Sequence, residues 1–161
     1  MALPSPILSI PLDANAVDHW VSCARHMLIG AKPATVPLLS DTLNSFWHPD
    51  ETILYIGRAG YRRAGLLAGS TISDRVAAYY GTRLGARRPH RGGYWLKTLA
   101  ILHNLLVYWQ PELDPSLLEQ QLQQTFILNR NNSGAVDLPF ANLRDENSRQ
   151  NKQHGIRNPH F

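Results

Sequence analysis

Cysteine and long apolar runs are scarce in this sequence. One cysteine, Cys23, among 161 residues excludes an internal disulfide, and one thiol cannot build a cysteine-based zinc site. No apolar run approaches the roughly 18 residues that a membrane span requires. The segment 1–12 lacks a basic start, and three prolines interrupt it, which is atypical of a signal peptide. We therefore expect a cytoplasmic protein without a membrane partner, in which Cys23 is a buried core thiol.

Motifs for nucleotide and metal binding are also missing. The chain has no glycine-rich strand-to-helix fingerprint and no P-loop. Its seven histidines show no paired helical spacing that would suit a metal. A length of 161 residues with a hydrophobic share of 43% is typical of one ordinary globular domain.

Positive charge is concentrated in the middle of the chain. The formal net charge is +4, but the segment 58–97 holds nine basic residues and one acid, Asp74. Eight of those nine are arginine, whose planar guanidinium suits phosphate. Tyrosines and Trp95 are interleaved with them, which favours nucleic acid as a partner. A solvated basic face explains the same charges about equally well.

Apolar spacing and capping residues predict four helices. The first runs from Asp13 to Gly30, and a second begins at Thr71 with a capping box to Asp74 and reaches about Leu84. A third covers 94–103. The fourth begins with the pair Asp114 and Pro115, and its predicted apolar stripe is Leu118, Leu122 and Phe126.

Three apolar segments, 35–39, 52–57 and 105–109, are predicted as strands. The glycine- and arginine-rich segments 57–69 and 83–93 are predicted as loops, and residues 138–140 as the anchor of a polar tail. The predicted fold is thus α+β, with a small, mostly antiparallel three-stranded sheet flanked by helices and an extra N-terminal helix.

Two charged residues beside apolar stripes, Arg75 and Glu119, are candidates for a role in catalysis. Arg75 and Tyr79 are four residues apart and share one helix face. A snorkelling surface arginine is the alternative for Arg75. Glu119 borders the stripe of the last helix, where an ordinary first-turn glutamate is the alternative.

Four ordered stretches resemble the GIY-YIG nuclease domain. They are ILYIGRA at 53–59, DRVAAY at 74–79, LLVYW at 105–109 and SLLEQQL at 116–122. The resemblance covers 34–142, so 1–33 is predicted to be an N-terminal helical extension and 143–161 a polar C-terminal tail, all in one compact unit. The family's first-strand Gly-Ile-Tyr triplet is not preserved, since Thr35, Val36 and Pro37 stand in its place.

The resemblance implies a divalent-metal-dependent endonuclease that hydrolyses DNA phosphodiester bonds. In it Tyr55 would activate water, Arg75 would stabilise the phosphate, Tyr79 would orient groups beside it, and Glu119 would bind a single Mg²⁺ or Mn²⁺. Asn142 would match a late asparagine of the family. RNA as the substrate and a catalytically impaired nucleic-acid-binding module of the same fold are the alternatives. A homodimer or a protein partner could supply specificity.

The basic loops are predicted to bind the phosphates of the nucleic acid. For His90, a solvent-exposed loop histidine is an equally good interpretation. Together with Asn142, the predicted substrate-binding residues are Arg58, Arg62, Arg63, Arg87, Arg88, His90 and Arg91.

Overall fold

Short helices supply most of the regular structure in the computed structural model of this chain. It describes residues 9–49, 51–63, 66–68, 70–81, 83–84, 91–130, 138–143 and 153–157, with the backbone alone at 61–63, 66–68 and 91. The helices in these ranges are α1 Ala14–Cys23, α2 Val36–Asn44, α3 Ile72–Gly81, α4 Arg91–Lys97 and α5 Pro115–Arg130, with a 3₁₀ turn at Leu102–Asn104.

Two small antiparallel sheets accompany the helices. The first has the strand order β2-β1-β5, built from β1 Leu28–Ile29, β2 Lys32–Pro33 and β5 Ile156–Arg157. The second is the hairpin of β3 Tyr61–Arg63 and β4 Leu66–Ala68. The α+β class and a small three-stranded antiparallel sheet are confirmed, but the strands of that sheet are not the predicted ones.

The first helix is shorter than predicted. Asp13 caps it as expected, with its carboxylate accepting from the backbone N–H groups of Asn15 and Ala16 at 2.9 and 3.2 Å. The helix ends at Cys23, where Ala24 leaves the helical conformation, and Gly30, at φ 64°, lies in the turn between β1 and β2 instead of ending the helix. Cys23 is partly exposed, with Sγ 3.4 Å from Nε2 of His19, so its prediction as a core thiol is wrong.

The predicted strand at 35–39 is the start of helix α2. Thr35 is the N-cap, and its Oγ1 accepts from the N–H of Leu38 at 3.3 Å. Pro37 stands in the first turn, where its missing N–H costs no intrahelical hydrogen bond. Leu39 and Leu43, four residues apart, are both fully buried. The capping residue and the helical spacing therefore outweigh the β-propensity of a short apolar run.

The predicted strands at 52–57 and 105–109 do not form either. The first is held instead by the segment 138–143, with the N–H of Ala141 donating to the carbonyl of Leu54 at 2.8 Å. The second has no strand partner within the described ranges, and its side chains from Leu106 to Trp109 are exposed. High β-propensity does not produce a strand where no neighbouring strand is available to pair with it.

The glycine- and arginine-rich segment 57–69 was predicted as a loop but contains the β3–β4 hairpin. Helix α3 begins with the predicted capping box, although it ends at Gly81, before Leu84. Helix α4 starts earlier than predicted, at Arg91, and ends at Lys97.

Helix α5 begins as predicted but faces the interior with different residues. Asp114 caps it through a 3.1 Å hydrogen bond from the N–H of Leu117. Its buried side chains are Glu119, Gln123 and Phe126, while Leu122 is exposed. The inward stripe of this helix is therefore partly polar, which is unusual for a face that only packs.

Aromatic side chains fill the centre of the core. Trp95 is 1% exposed, and its ring contacts those of Phe140 and Phe46 at centroid distances of 5.1 and 5.5 Å. Leu138 and Phe140 are fully buried, which confirms the predicted anchor at 138–140. Of the helices in the described ranges, none is both long enough and apolar enough to cross a membrane.

Candidate active site

The rings of two tyrosines from different parts of the chain lie in contact. The rings of Tyr55 and Tyr79 have centroids 4.8 Å apart and planes inclined at 58°, and Tyr79 is buried. Burial raises the pKa of Tyr79 far above its ordinary value, and the charge and hydrogen bond of Tyr55 raise it further. Tyr79 therefore stays a neutral phenol and acts as a hydrogen-bonding group, not as a base.

Gly57 leaves room for the ring of Tyr55. A Cβ added at Gly57 would overlap the edge and the hydroxyl of the Tyr55 ring, two residues earlier in the chain. The ring thus folds back over the glycine and reaches Tyr79. A side chain at position 57 would force the Tyr55 ring out of this arrangement.

The segment that carries Tyr55 is fixed from the other side by Asn142. Its Oδ1 accepts from the N–H of Ile56 at 2.8 Å, and its Nδ2 donates to the carbonyl of Ile56 at 2.7 Å. Asn142 is 4% exposed, so these contacts are shielded from water. Asn142 therefore holds the backbone of Ile56, the residue that follows Tyr55.

Arg75 lies one helical turn before Tyr79 on α3 and is half-buried. Its Nε is buried and has no hydrogen-bond partner among the residues that the structure describes. The positive charge of Arg75 is near enough to oppose the rise in the pKa of Tyr79. A buried donor of this kind is costly unless something binds it, and an anion is the natural ligand.

Glu119 supplies a buried carboxylate from the inner face of α5. It is 8% exposed; its Oε2 lies 3.1 Å from Nε of Arg58, and its Oε1 accepts from Nε2 of Gln123 at 3.4 Å. The Glu119 charge contributes to raising the pKa of Tyr79, so the carboxylate belongs to the same cluster. Tyr55, Arg58, Arg75, Tyr79 and Glu119 are called the tyrosine–glutamate cluster below.

Arg58 is engaged by α5. Besides the ion pair with Glu119, its Nη1 donates a hydrogen bond to Oγ of Ser116. Ser116 and Glu119 are three residues apart on one helix face, so a single guanidinium reaches both.

The oxygen donors of the cluster suit one weakly held divalent cation. Within the described ranges, no three His, Cys, Asp or Glu side chains are grouped closely enough to hold a metal ion by themselves. Mg²⁺ is commonly bound by one or two carboxylates together with water and substrate phosphates. Glu119 fits that pattern once Arg58 has moved from Oε2.

The other predicted substrate-binding residues are only partly located. Arg62 and Arg63 lie on β3, and Arg91 opens α4. Arg87, Arg88 and His90 lie outside the described residues.

Sequence reasoning missed Ser116 and Gln123, the two α5 residues that contact Arg58 and Glu119. The available signal was the spacing of Ser116, Glu119 and Gln123, which are three and four residues apart and therefore share one helix face.

Comparisons with protein-family models, with curated proteins and with solved structures gave no match.

Proposed function

We propose that this protein is a divalent-metal-dependent endonuclease that hydrolyses DNA phosphodiester bonds, in the manner of the GIY-YIG nucleases that its motifs resemble. The observation that carries the proposal is the tyrosine–glutamate cluster. It brings together, from three separate parts of the chain, a buried carboxylate, a buried tyrosine in contact with a half-buried one, and an arginine whose buried Nε has no partner among the described residues.

Four members of the cluster have a direct part in such a reaction. Arg75 binds the scissile phosphate through its guanidinium, which adds fixed positive charge where negative charge grows in the transition state. Tyr55 positions or deprotonates the attacking water, and Tyr79, which keeps its own proton, holds the Tyr55 hydroxyl in place. Glu119 holds the divalent cation, which when bound polarises the phosphate and stabilises the leaving oxygen.

A plasmid-cleavage assay tests the proposal. Wild-type protein should nick or linearise a plasmid in Mg²⁺, and Glu119→Gln should lose cleavage while it still binds DNA in a gel-shift assay. The matched control is Glu112→Gln, an exposed glutamate just before α5 that accepts from the N–H of Leu113 at 2.7 Å. It should cleave as the wild type does. Undiminished cleavage by Glu119→Gln would sink the assignment.

A catalytically impaired nucleic-acid-binding module is the second candidate. It is favoured by helix α2, since residues 35–37 begin this helix and carry no tyrosine, whereas the nucleases that the motifs resemble have a strand with a tyrosine at the corresponding point of the sequence. The outcome that would select it is salt-sensitive binding without cutting of plasmid, branched, single-stranded and RNA substrates in Mg²⁺ or Mn²⁺. The RNA substrate in the same series decides between DNA and RNA.

A further inference from the structure

The contacts of Arg58 place a protein cation where the proposed function requires a metal cation. Nε of Arg58 lies 3.1 Å from Oε2 of Glu119, whose side chain is 8% exposed, and the arginine side chain is 25% exposed. A carboxylate buried to this degree needs a positive partner, and Arg58 supplies it. Because the arginine is the more exposed of the two, it is the partner that has room to move.

Glu119 does not hold Arg58 and a divalent cation equally well at the same time. Oε1 accepts a hydrogen bond from Gln123 at 3.4 Å, and a cation bound at Oε2 would lie directly beside the Arg58 guanidinium. A guanidinium and a divalent ion within a few ångströms of each other in a partly buried site repel strongly. Binding of the ion therefore requires Arg58 to withdraw from the carboxylate.

We propose that Arg58 is an exchangeable cation of the candidate site: it neutralises Glu119 while no divalent ion is bound and leaves the carboxylate when the ion binds. The inference rests on the proposed function in taking Glu119 as the ligand of a divalent cation. Arg58 is then a positioning residue that acts through Glu119. While it contacts the carboxylate, it lowers the affinity of the site for its metal ion.

The exchange links metal binding to phosphate binding. Once it has left Glu119, the guanidinium of Arg58 can contact a phosphate of the nucleic acid, two residues along the chain from Ile56, which Asn142 holds. Since linkage is reciprocal, a bound phosphate that holds Arg58 raises the affinity for the cation, and a bound cation raises the affinity for the phosphate. The site thus loads its metal most readily when nucleic acid is present.

Mn²⁺ binding to the full chain tests the exchange without any measurement of cleavage. Arg58→Met keeps most of the side-chain volume but removes the competing charge, and it should bind Mn²⁺ about tenfold more tightly than the wild type, within the range usual for coupled binding events. The measurement is the electron paramagnetic resonance signal of free Mn²⁺ in a titration. Mn²⁺ should also raise the unfolding temperature of Arg58→Met more than that of the wild type.

Arg130→Met is the matched control. Arg130 is 22% exposed and pairs with Glu51 at 3.5 Å, so it is an arginine of similar exposure in an ion pair outside the cluster. Its substitution should leave Mn²⁺ affinity unchanged. If Arg58→Met does not fold, Arg58→Gln takes its place, because its neutral amide also removes the competing charge, and its Mn²⁺ affinity should lie above that of the wild type.

The variant Glu119→Gln distinguishes failure of the Arg58 exchange from failure of Glu119 as the cation ligand. If Glu119→Gln loses Mn²⁺ binding but Arg58→Met binds no more tightly than the wild type, the exchange is wrong and the nuclease proposal stands. If wild type, Arg58→Met and Glu119→Gln all bind Mn²⁺ alike, Glu119 is not the cation ligand, and the exchange fails together with the proposed role of Glu119.

Discussion

The side-chain amide of Asn142 makes both hydrogen bonds that a neighbouring strand would offer to Ile56. It accepts from the Ile56 N–H at 2.8 Å and donates to the Ile56 carbonyl at 2.7 Å. With the bond from the N–H of Ala141 to the carbonyl of Leu54, this gives the segment of Tyr55 a sheet-like support without a second strand. Asn142 therefore positions Tyr55 in our proposal, through Ile56.

Asn142→Ala should lower the free energy of unfolding by about 2 kcal/mol, since it leaves two backbone polar groups of Ile56 without their partner. It should also reduce cleavage, because the support under Tyr55 is lost. Urea unfolding measures the first effect and a plasmid-nicking rate the second. Asn104→Ala, which changes an exposed asparagine at the end of the 3₁₀ turn, is the control and should alter neither. Unchanged stability of Asn142→Ala would contradict the support that we assign to this amide.

Gly57→Ala should displace the ring of Tyr55. The added methyl overlaps the outer edge of that ring, which can rotate away, so the stability loss should stay within about 1–3 kcal/mol. The contact between Tyr55 and Tyr79 should break, and cleavage should fall steeply while the chain stays folded. Near-UV circular dichroism reports the tyrosine environment, and a nicking assay reports the rate.

Gly81→Ala is the matched control for that substitution. Gly81 is the last residue of α3, and within the described ranges a Cβ added there meets no atom within 4 Å beyond its chain neighbours and the backbone of the helix. The alanine should be neutral or slightly stabilising, because alanine has the better helix propensity. Equal activity of Gly57→Ala and Gly81→Ala would show that the position of the Tyr55 ring does not matter.

Local signals in the sequence were sufficient for parts of the fold. The capping box of Thr71 and Asp74 and the pair Asp114 and Pro115 predicted the starts of α3 and α5 correctly. These predictions succeeded because a cap involves residues within one turn of each other, so the sequence contains the whole interaction. Thr35 carries the same kind of signal at the start of α2, although 35–39 were predicted as a strand.

Long-range pairing could not be predicted in the same way. Residues 52–57 have the composition of a strand, yet the partner of Ile56 is the side chain of an asparagine 86 positions away. The sheet that forms instead pairs Leu28 and Ile29 with Ile156 and Arg157, which are too few residues to show a periodic pattern. High β-propensity favours an extended segment, but whether that segment becomes a strand depends on a second segment that pairs with it.

Four of the predicted catalytic residues lie near one another in the structure, but their contacts were not predicted. Tyr55, Arg75, Tyr79 and Glu119 converge, although two of the three predicted strands that framed them are irregular and the third is a helix. The pairing of Arg58 with Glu119 was not foreseen, because it depends on the rotation of α5 that brings Glu119 inward. Neighbouring residues on a helix point in directions about 100° apart, so a shift of one residue decides whether Glu119 faces the interior.

Tyr79 should make the stability of the protein sensitive to alkaline pH. Its pKa is raised in the folded state by burial, whereas in the unfolded chain it is near the ordinary value of about 10. Above pH 10 the unfolded state therefore binds fewer protons than the folded state, and the free energy of unfolding falls as the pH rises. For one such group the slope is at most about 1.4 kcal/mol per pH unit, and its contribution is complete below pH 10.

Urea unfolding from pH 8 to 11 measures this slope. Tyr79→Phe should show a smaller loss of stability above pH 10 than the wild type, since it has no proton to lose at this position. Tyr80→Phe changes the exposed neighbour and should follow the wild-type curve. Identical curves for all three proteins would show that Tyr79 does not titrate differently in the folded and unfolded states.

The capping box of α3 should set both the stability and the acid sensitivity of the helix that carries Arg75. The backbone N–H of Thr71 donates to Oδ2 of Asp74 at 2.9 Å, and Oγ1 of Thr71 accepts from the N–H of Asp74 at 3.1 Å. Hydrogen bonds from the backbone and hydroxyl of Thr71 lower the pKa of the Asp74 carboxyl. A lowered folded-state pKa stabilises the protein above the unfolded value of about 4, and this contribution is lost as the pH falls through the folded pKa.

Thr71→Ala should therefore lower the free energy of unfolding at neutral pH by about 1 kcal/mol, the usual effect of losing an N-cap side chain. Asp74→Asn should flatten the pH dependence of stability below pH 4, because the carboxylate that titrates there is gone. Ser73→Ala, an exposed change in the same first turn, is the control for both. Because Arg75 follows Asp74 directly, fraying of this turn should also weaken the DNA binding of Thr71→Ala. If the binding returns at lower temperature, where the helix re-forms, the loss is due to the missing cap.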